Sequence, residues 1–127
     1  MTRIYKLRGF ARFQRKERIS DASLCKAIGG VEAGLVDADL GGGLVKQRLP
    51  RPGQGKSGGY RTVIAIKRGD RAVFLYGFAK NERSNIDDEE LEEFRKLARG
   101  FLDLTAKQIA ALIADNELME LTYDDDR

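Results

Sequence analysis

Histidine is absent from this chain of 127 residues, cysteine occurs once and proline twice. Without histidine the sequence lacks the side chain most used for proton transfer near neutral pH and the commonest zinc ligand. A single thiol, Cys25, leaves no pair for a disulfide or a redox couple. If the chain is a catalyst, it works with Lys, Arg, Tyr or carboxylates, and no metal or cofactor is expected. Cys25 lies in a stretch of helical pattern and reads as a small buried apolar residue in a reducing compartment. No apolar run approaches the roughly 20 residues that span a bilayer, and the opening MTRIYKLRGF lacks the apolar core of a signal peptide. A cytoplasmic protein with no membrane partner is expected.

Acids are missing too, but only locally. Between Leu44 and Gly69 there are seven bases, Lys46, Arg48, Arg51, Lys56, Arg61, Lys67 and Arg68, and no carboxylate. Thr2 to Lys16 holds six bases and again none. Residues 1–86 carry 18 of the 23 Lys and Arg and 7 of the 20 Asp and Glu, a surplus of +11, whereas residues 87–127 come to −8. Like charges this dense repel one another in a folded chain, so a polyanionic partner explains them economically, and nucleic acid is the common one. A solvated basic face is the plainer alternative.

What is present suits one domain: 42% apolar and 34% charged residues, on a length that can bury a core without disulfides. Arg3 to Leu7 reads as a first strand. GFARFQRKERISDASLCKAIGGVEAGL reads as two helical pieces parted at Ile19-Ser20, with Ser20 as N-cap and Leu24, Ala27, Ile28 and Val31 on one face. Gly29-Gly30 weakens the second helix, and DADLGGG ends the helical region. LVKQRL, YRTVIAIK and RAVFLYGFA are strand patterns, the last two joined by a tight RGD turn and so antiparallel. Leu91, Phe94, Leu97, Ala98 and Phe101 mark an amphipathic helix with an acidic first turn, and TAKQ opens another through Ala114 with a capping box. ELMELT reads as a short strand and YDDDR as a frayed tail. The expected fold is α+β, with helices against one side of a mainly antiparallel sheet.

GKS at Gly55 to Ser57 is shared with phosphate-binding loops, but Pro50 replaces the glycine required five positions earlier and the segment leads into a strand. Nucleotide hydrolysis is therefore excluded as a reading. On the strands, Lys46 and Arg48 project from one face, as do Tyr60 and Thr62 on the next strand, with Arg61 opposite these two unless a bulge turns it.

The run LVKQR followed by GKSGGYRTVIAIKRGDRAVFLYGFAKNERSNID resembles the RelE/ParE superfamily of bacterial toxins from type II toxin–antitoxin operons. It is most similar to a RelE-like branch marked by GKSGGYR and FAKNER, over roughly residues 2–100. The resemblance implies one RelE-like toxin domain, with N-terminal helices and a C-terminal helix on the sheet. Its core would be residues 2–104, with a helix and strand extension over 105–122 and a tail at 123–127. It also implies messenger RNA cleavage on the translating ribosome without a metal, and neutralisation by a cognate antitoxin; a homodimer stays open. Carried over by position, Lys46 and Arg48 match the basic pair of the second strand, Arg61 the arginine of G-Y-R, and Lys80 and Arg83 the outer bases of a K-R-E-R element. These five are the catalytic candidates, with Arg51, Lys56, Tyr60 and Tyr76 as RNA-binding candidates. Two positions depart from the messenger-RNA-cleaving pattern: Asn81 stands for the inner arginine, and Asp87 for a tyrosine.

Cleavage by the 2′-OH needs a base, stabilisation of the charge on the phosphorane, and an acid for the 5′-oxygen. A cation cluster meets the second need. Lys46 or Lys80 is the candidate base, and Tyr60, Tyr76 or Lys56 the candidate acid. Two other readings stay open, a non-enzymatic toxin that inhibits DNA gyrase and a catalytically silent RNA-binding protein.

Overall fold

A computed structural model describes residues 2–51 and 55–121, with side chains at all of these but 55–58. The chain runs β1 (Arg3–Leu7), α1 (Arg8–Glu17), α2 (Asp21–Glu32), β2 (Ala38–Gly41), β3 (Leu44–Arg51), β4 (Gly55–Lys67), β5 (Arg71–Ala79), α3 (Asp88–Asp103), α4 (Ala106–Ala114) and β6 (Leu118–Glu120). The α+β expectation holds. Ser20 caps α2 by accepting from the Ser23 N–H, and α2 continues through Gly29-Gly30 because Ala27, Ile28 and Val31 are buried around them. Asp87 and Thr105 each close a capping box, with Glu90 and Gln108. The expected tail at 123–127 lies outside the described residues.

Six strands form one sheet in the order β2-β3-β4-β5-β1-β6, antiparallel throughout except where β1 lies parallel to β5. β2 is an addition to the expected elements: Asp39 and Leu40, in the run read as a helix terminator, belong to a strand paired with β3. Its four residues carry little strand propensity, and pairing with β3 supplies what the local sequence lacks.

The helices do not lie against one side of the sheet, as the sequence suggested; they cover both faces. α1 and α2 bring Phe10, Leu24, Ile28 and Val31 onto Val45, Leu49, Tyr60, Ile64 and Phe74. α3, α4 and β6 bring Ala98, Ile109 and Leu118 onto Tyr5, Leu44, Val63, Ala65 and Val73. The reason is legible in β4, where Ile64 and Ile66 face one core and Val63 and Ala65 the other. A strand apolar on both faces needs a layer on each. Gly77 allows the close approach of α1, since a Cβ there would stand 2.5 Å from the Phe13 ring and 3.0 Å from Phe10.

α3 is held less deeply than its spacing implies. Ala98 is buried, Leu91, Phe94 and Phe101 are half-buried, and Leu97 is exposed. The C-terminal part contributes more: Ile109, Leu118 and Leu121 are all buried, and the Leu121 N–H donates to the Ile4 carbonyl. Residues 105–121 thus complete the sheet at β1.

Candidate functional site

β3 and β4 pair so that Lys46 lies opposite Val63 and Arg48 opposite Arg61. Alternation then sends Leu44, Lys46 and Arg48 to the face of Val63 and Arg61, while Val45, Gln47 and Leu49 turn to the α1–α2 core. Leu44 and Val63 are covered by the α3 layer. Beyond them the same face continues as three cations. Like charges directly opposite on neighbouring strands repel, and Arg48 and Arg61 are such a pair.

Their repulsion is met by Asp37, just before β2. Its carboxylate lies 3.4 Å from Arg61 Nε, 3.5 Å from Arg48 Nε and 3.9 Å from Lys46 Nζ. Depth ranks the three: the side chains of Arg61, Lys46 and Arg48 are 8%, 16% and 51% exposed. The Arg48 pair, open to solvent, is worth about 0–1 kcal/mol, whereas an arginine as enclosed as Arg61 leans on its partner, at roughly 3–5 kcal/mol if the pair is broken. Arg61 Nη1 also donates to the Tyr60 carbonyl at 3.4 Å.

Asp37 is placed by Gln47. Buried on the α2 side of β3, Gln47 donates from Nε2 to the Leu35 carbonyl at 2.7 Å and accepts the Asp37 N–H at Oε1, 3.2 Å away. The Asp37 N–H is shared with the Lys46 carbonyl, at 3.1 Å. On the other side of the cluster, Lys46 Nζ donates to Asn85 Oδ1 at 3.3 Å. Asn85 in turn accepts, at its carbonyl, from Arg83 Nε at 3.0 Å.

Arg83 is committed elsewhere. Its fork grips both Glu90 oxygens, donates to the Tyr76 hydroxyl at 3.1 Å, and lies over the rings of Tyr76 and Phe78. Hydrogen bonding from Arg83, then from the Asp87 N–H, holds the Glu90 carboxyl down at about 2, and the same Glu90 bond raises Arg83. Asp87, one of the two departures from the messenger-RNA-cleaving pattern, is the N-cap of this helix. Asn81 sits exposed in the turn after β5.

Of the residues singled out in the sequence, Lys46, Arg48 and Arg61 are brought together, with Tyr76 and Arg83 linked to them through Asn85. Tyr60 is not among them. It is buried on the α1 side, where its hydroxyl donates to Glu17 at 3.0 Å and burial, then Glu17, raises its pKa. Arg51, two residues beyond Leu49 on β3, falls on the same side, over the Tyr60 ring. Lys80 stands exposed at the end of β5, its N–H bonded to the Gly59 carbonyl. The Lys56 side chain lies outside the described residues. Asp37, Gln47 and Asn85 were missed. No local pattern marks them, because their partners lie 9 to 39 residues away in sequence or are backbone groups.

At one corner of a six-stranded α+β sheet, three cations thus surround one carboxylate and leave a local surplus of positive charge. The family model of the RelE toxin of the RelE/RelB toxin–antitoxin system matches residues 2–121, and the chain belongs to this family. It is a toxin of a toxin–antitoxin system, and its partner is an antitoxin. Among curated proteins no match is found. No helix among the described residues is long and apolar enough to cross a membrane.

Proposed function

We propose that this toxin cleaves messenger RNA on the translating ribosome, by attack of a 2′-OH on the adjacent phosphate, and that its antitoxin acts by covering the cationic corner. The convergence of Lys46, Arg48 and Arg61 on one sheet face carries the reading. Arg48, the most open, meets the phosphate; Arg61, deeper, opposes the charge that builds on the phosphorane; Lys46, between Asp37 and Asn85, fixes the phosphate's approach. With Tyr60 turned away, the 5′-oxygen proton falls to Tyr76 or Lys46, which among the described side chains share this face. Arg83 acts by holding Tyr76 and the loop to Asn85.

Controlled expression in a bacterium tests this. Growth arrest is expected, with new messenger RNA ends inside coding regions that vanish when translation is blocked beforehand, and the paired change Lys46→Ala with Arg48→Ala should abolish both. Arrest with intact messenger RNA and induced DNA damage would favour gyrase as the target. Unimpeded growth with soluble, folded protein would leave an RNA-binding role without catalysis.

A further inference from the structure

The cation cluster contains one negative charge that the reaction does not call for, and its placement is specific. Asp37 is fixed at its backbone by two acceptors on β3, Gln47 Oε1 and the Lys46 carbonyl, and its two carboxylate oxygens serve three cations from β3 and β4. Yet each contact is 3.4–3.9 Å, longer than the roughly 2.7–2.9 Å of a charge-assisted hydrogen bond. The carboxylate therefore steers the cations through charge without taking up their donors; Lys46 and Arg61 spend one donor each on Asn85 and on the Tyr60 carbonyl, and their others remain for another anion.

We infer that Asp37 is a positioning residue of the RNA site: an internal counter-ion that aims Lys46, Arg48 and Arg61 at a common point and yields their donors to the scissile phosphate. This rests on the proposed RNA cleavage. Without Asp37, Arg48 and Arg61 face each other across the ladder and separate under their own repulsion. With it they stay aimed inward, but the carboxylate competes with the incoming phosphate for the same charge. Asp37 thus trades affinity for geometry. That trade is the signature to look for, because a residue that merely stabilises the fold moves rate and affinity together or neither.

Three readouts test it. Asp37→Asn should lower kcat for ribosome-bound messenger RNA tenfold or more, while affinity for a labelled single-stranded RNA is unchanged or tightens severalfold at low salt. The slope of log K against log salt should steepen by about 0.7, one more cation being free for phosphate. Because Arg61 is nearly enclosed, Asp37→Glu serves as the second variant: it keeps the charge, should remain folded, and should recover part of the lost rate. In an Arg61→Lys background the Asp37→Asn change should cost less than it does alone, since the two act through one contact. The Arg61 Nε–H resonance, followed without RNA, should shift in the Asn variant and return in the Glu variant. This last readout separates the two claims: if the wild-type chain leaves messenger RNA uncut, the proposed cleavage fails, while the resonance and the binding slope still judge Asp37. Wild-type kcat and affinity in Asp37→Asn, rate and affinity falling in step, additive effects with Arg61→Lys, or unfolding of the Glu variant would each overturn the inference.

Discussion

Arg61 shows how a single residue can be both the most useful and the most constrained member of a site. Only 8% of its side chain is exposed, so its guanidinium cannot be removed without leaving Asp37 and the Tyr60 carbonyl to find other partners. A truncation would confound fold with function, and Arg61→Lys is the cleaner change: it keeps the charge and loses the planar fork. It should lower the cleavage rate about tenfold or more while RNA affinity stays within about threefold, since an interaction strongest in the transition state registers in kcat. Equal losses in both would make Arg61 a binding residue. Glu90 offers a pH test at the same scale. Its carboxyl is held at about 2 against an ordinary 4.5, so its folded-state value lies below the unfolded one. Its contribution to stability is then complete above about pH 4.5 and fades as the pH falls toward 2. Glu90→Gln keeps one acceptor for the Asp87 N–H but loses the charge and one of the two oxygens that the Arg83 fork grips. The melting temperatures of the two proteins should differ at pH 7 and converge near pH 2; a gap that persists there would belong to the cap.

At the scale of elements, the C-terminal segment matters more than its late position and polar surroundings suggest. β6 is three residues long, yet it places Leu118 at 1% exposure, closes the sheet at β1, and leads into Leu121, itself buried. Leu118→Ala should destabilise the protein by about 2–5 kcal/mol, the usual range for emptying a fully buried leucine site. Truncation after Leu104 also removes Ile109 and uncovers Tyr5, and should abolish cooperative unfolding in denaturant or prevent soluble expression. A chain ending at Leu104 that melts cooperatively within a few degrees of the full-length protein would show that α4 and β6 are an addition to an independent core. α3 is the contrasting case. Its well-formed capping box and acidic first turn make its ends strong, while its apolar stripe is only partly covered. Its packing, more than its helicity, is the weaker of its two supports.

For the whole molecule, the uneven charge along the chain resolves into two different uses. Part of the basic excess converges at the corner of β3 and β4, whereas Arg83, equally basic in the sequence, is neutralised by Glu90 of the acidic helix α3. Counting bases therefore overstates the binding surface. If the three cations of the corner meet phosphates of a single strand, log K should fall against log salt with a slope of about −2, from roughly −0.7 for each. Fluorescence anisotropy with a labelled oligonucleotide across a salt series measures it. A slope near zero would remove the corner from RNA binding, and one far steeper would bring in the exposed bases Arg12, Arg15 and Lys16 of α1 as well.

Within the chain itself, periodicity and turn chemistry determined most of the local structure: the limits of β1, the Ser20 cap, the RGD hairpin and both C-terminal capping boxes are short-range facts, governed by neighbours a few residues apart. The two-sided character of VIAI was also there to read, although its consequence, a helix layer on each face, needed the assembled sheet. The basic strand ends Lys46, Arg48 and Arg61 were legible because alternation places side chains on a face before any partner is known. Tertiary structure alone decided which of those cations met a carboxylate, which arginine was spent on a helix, and which tyrosine turned away. Asp37 and Asn85 acquire their roles through strand register and loop closure, over separations at which the sequence carries no periodic signal. Charge acts through space, and only the fold sets the distances.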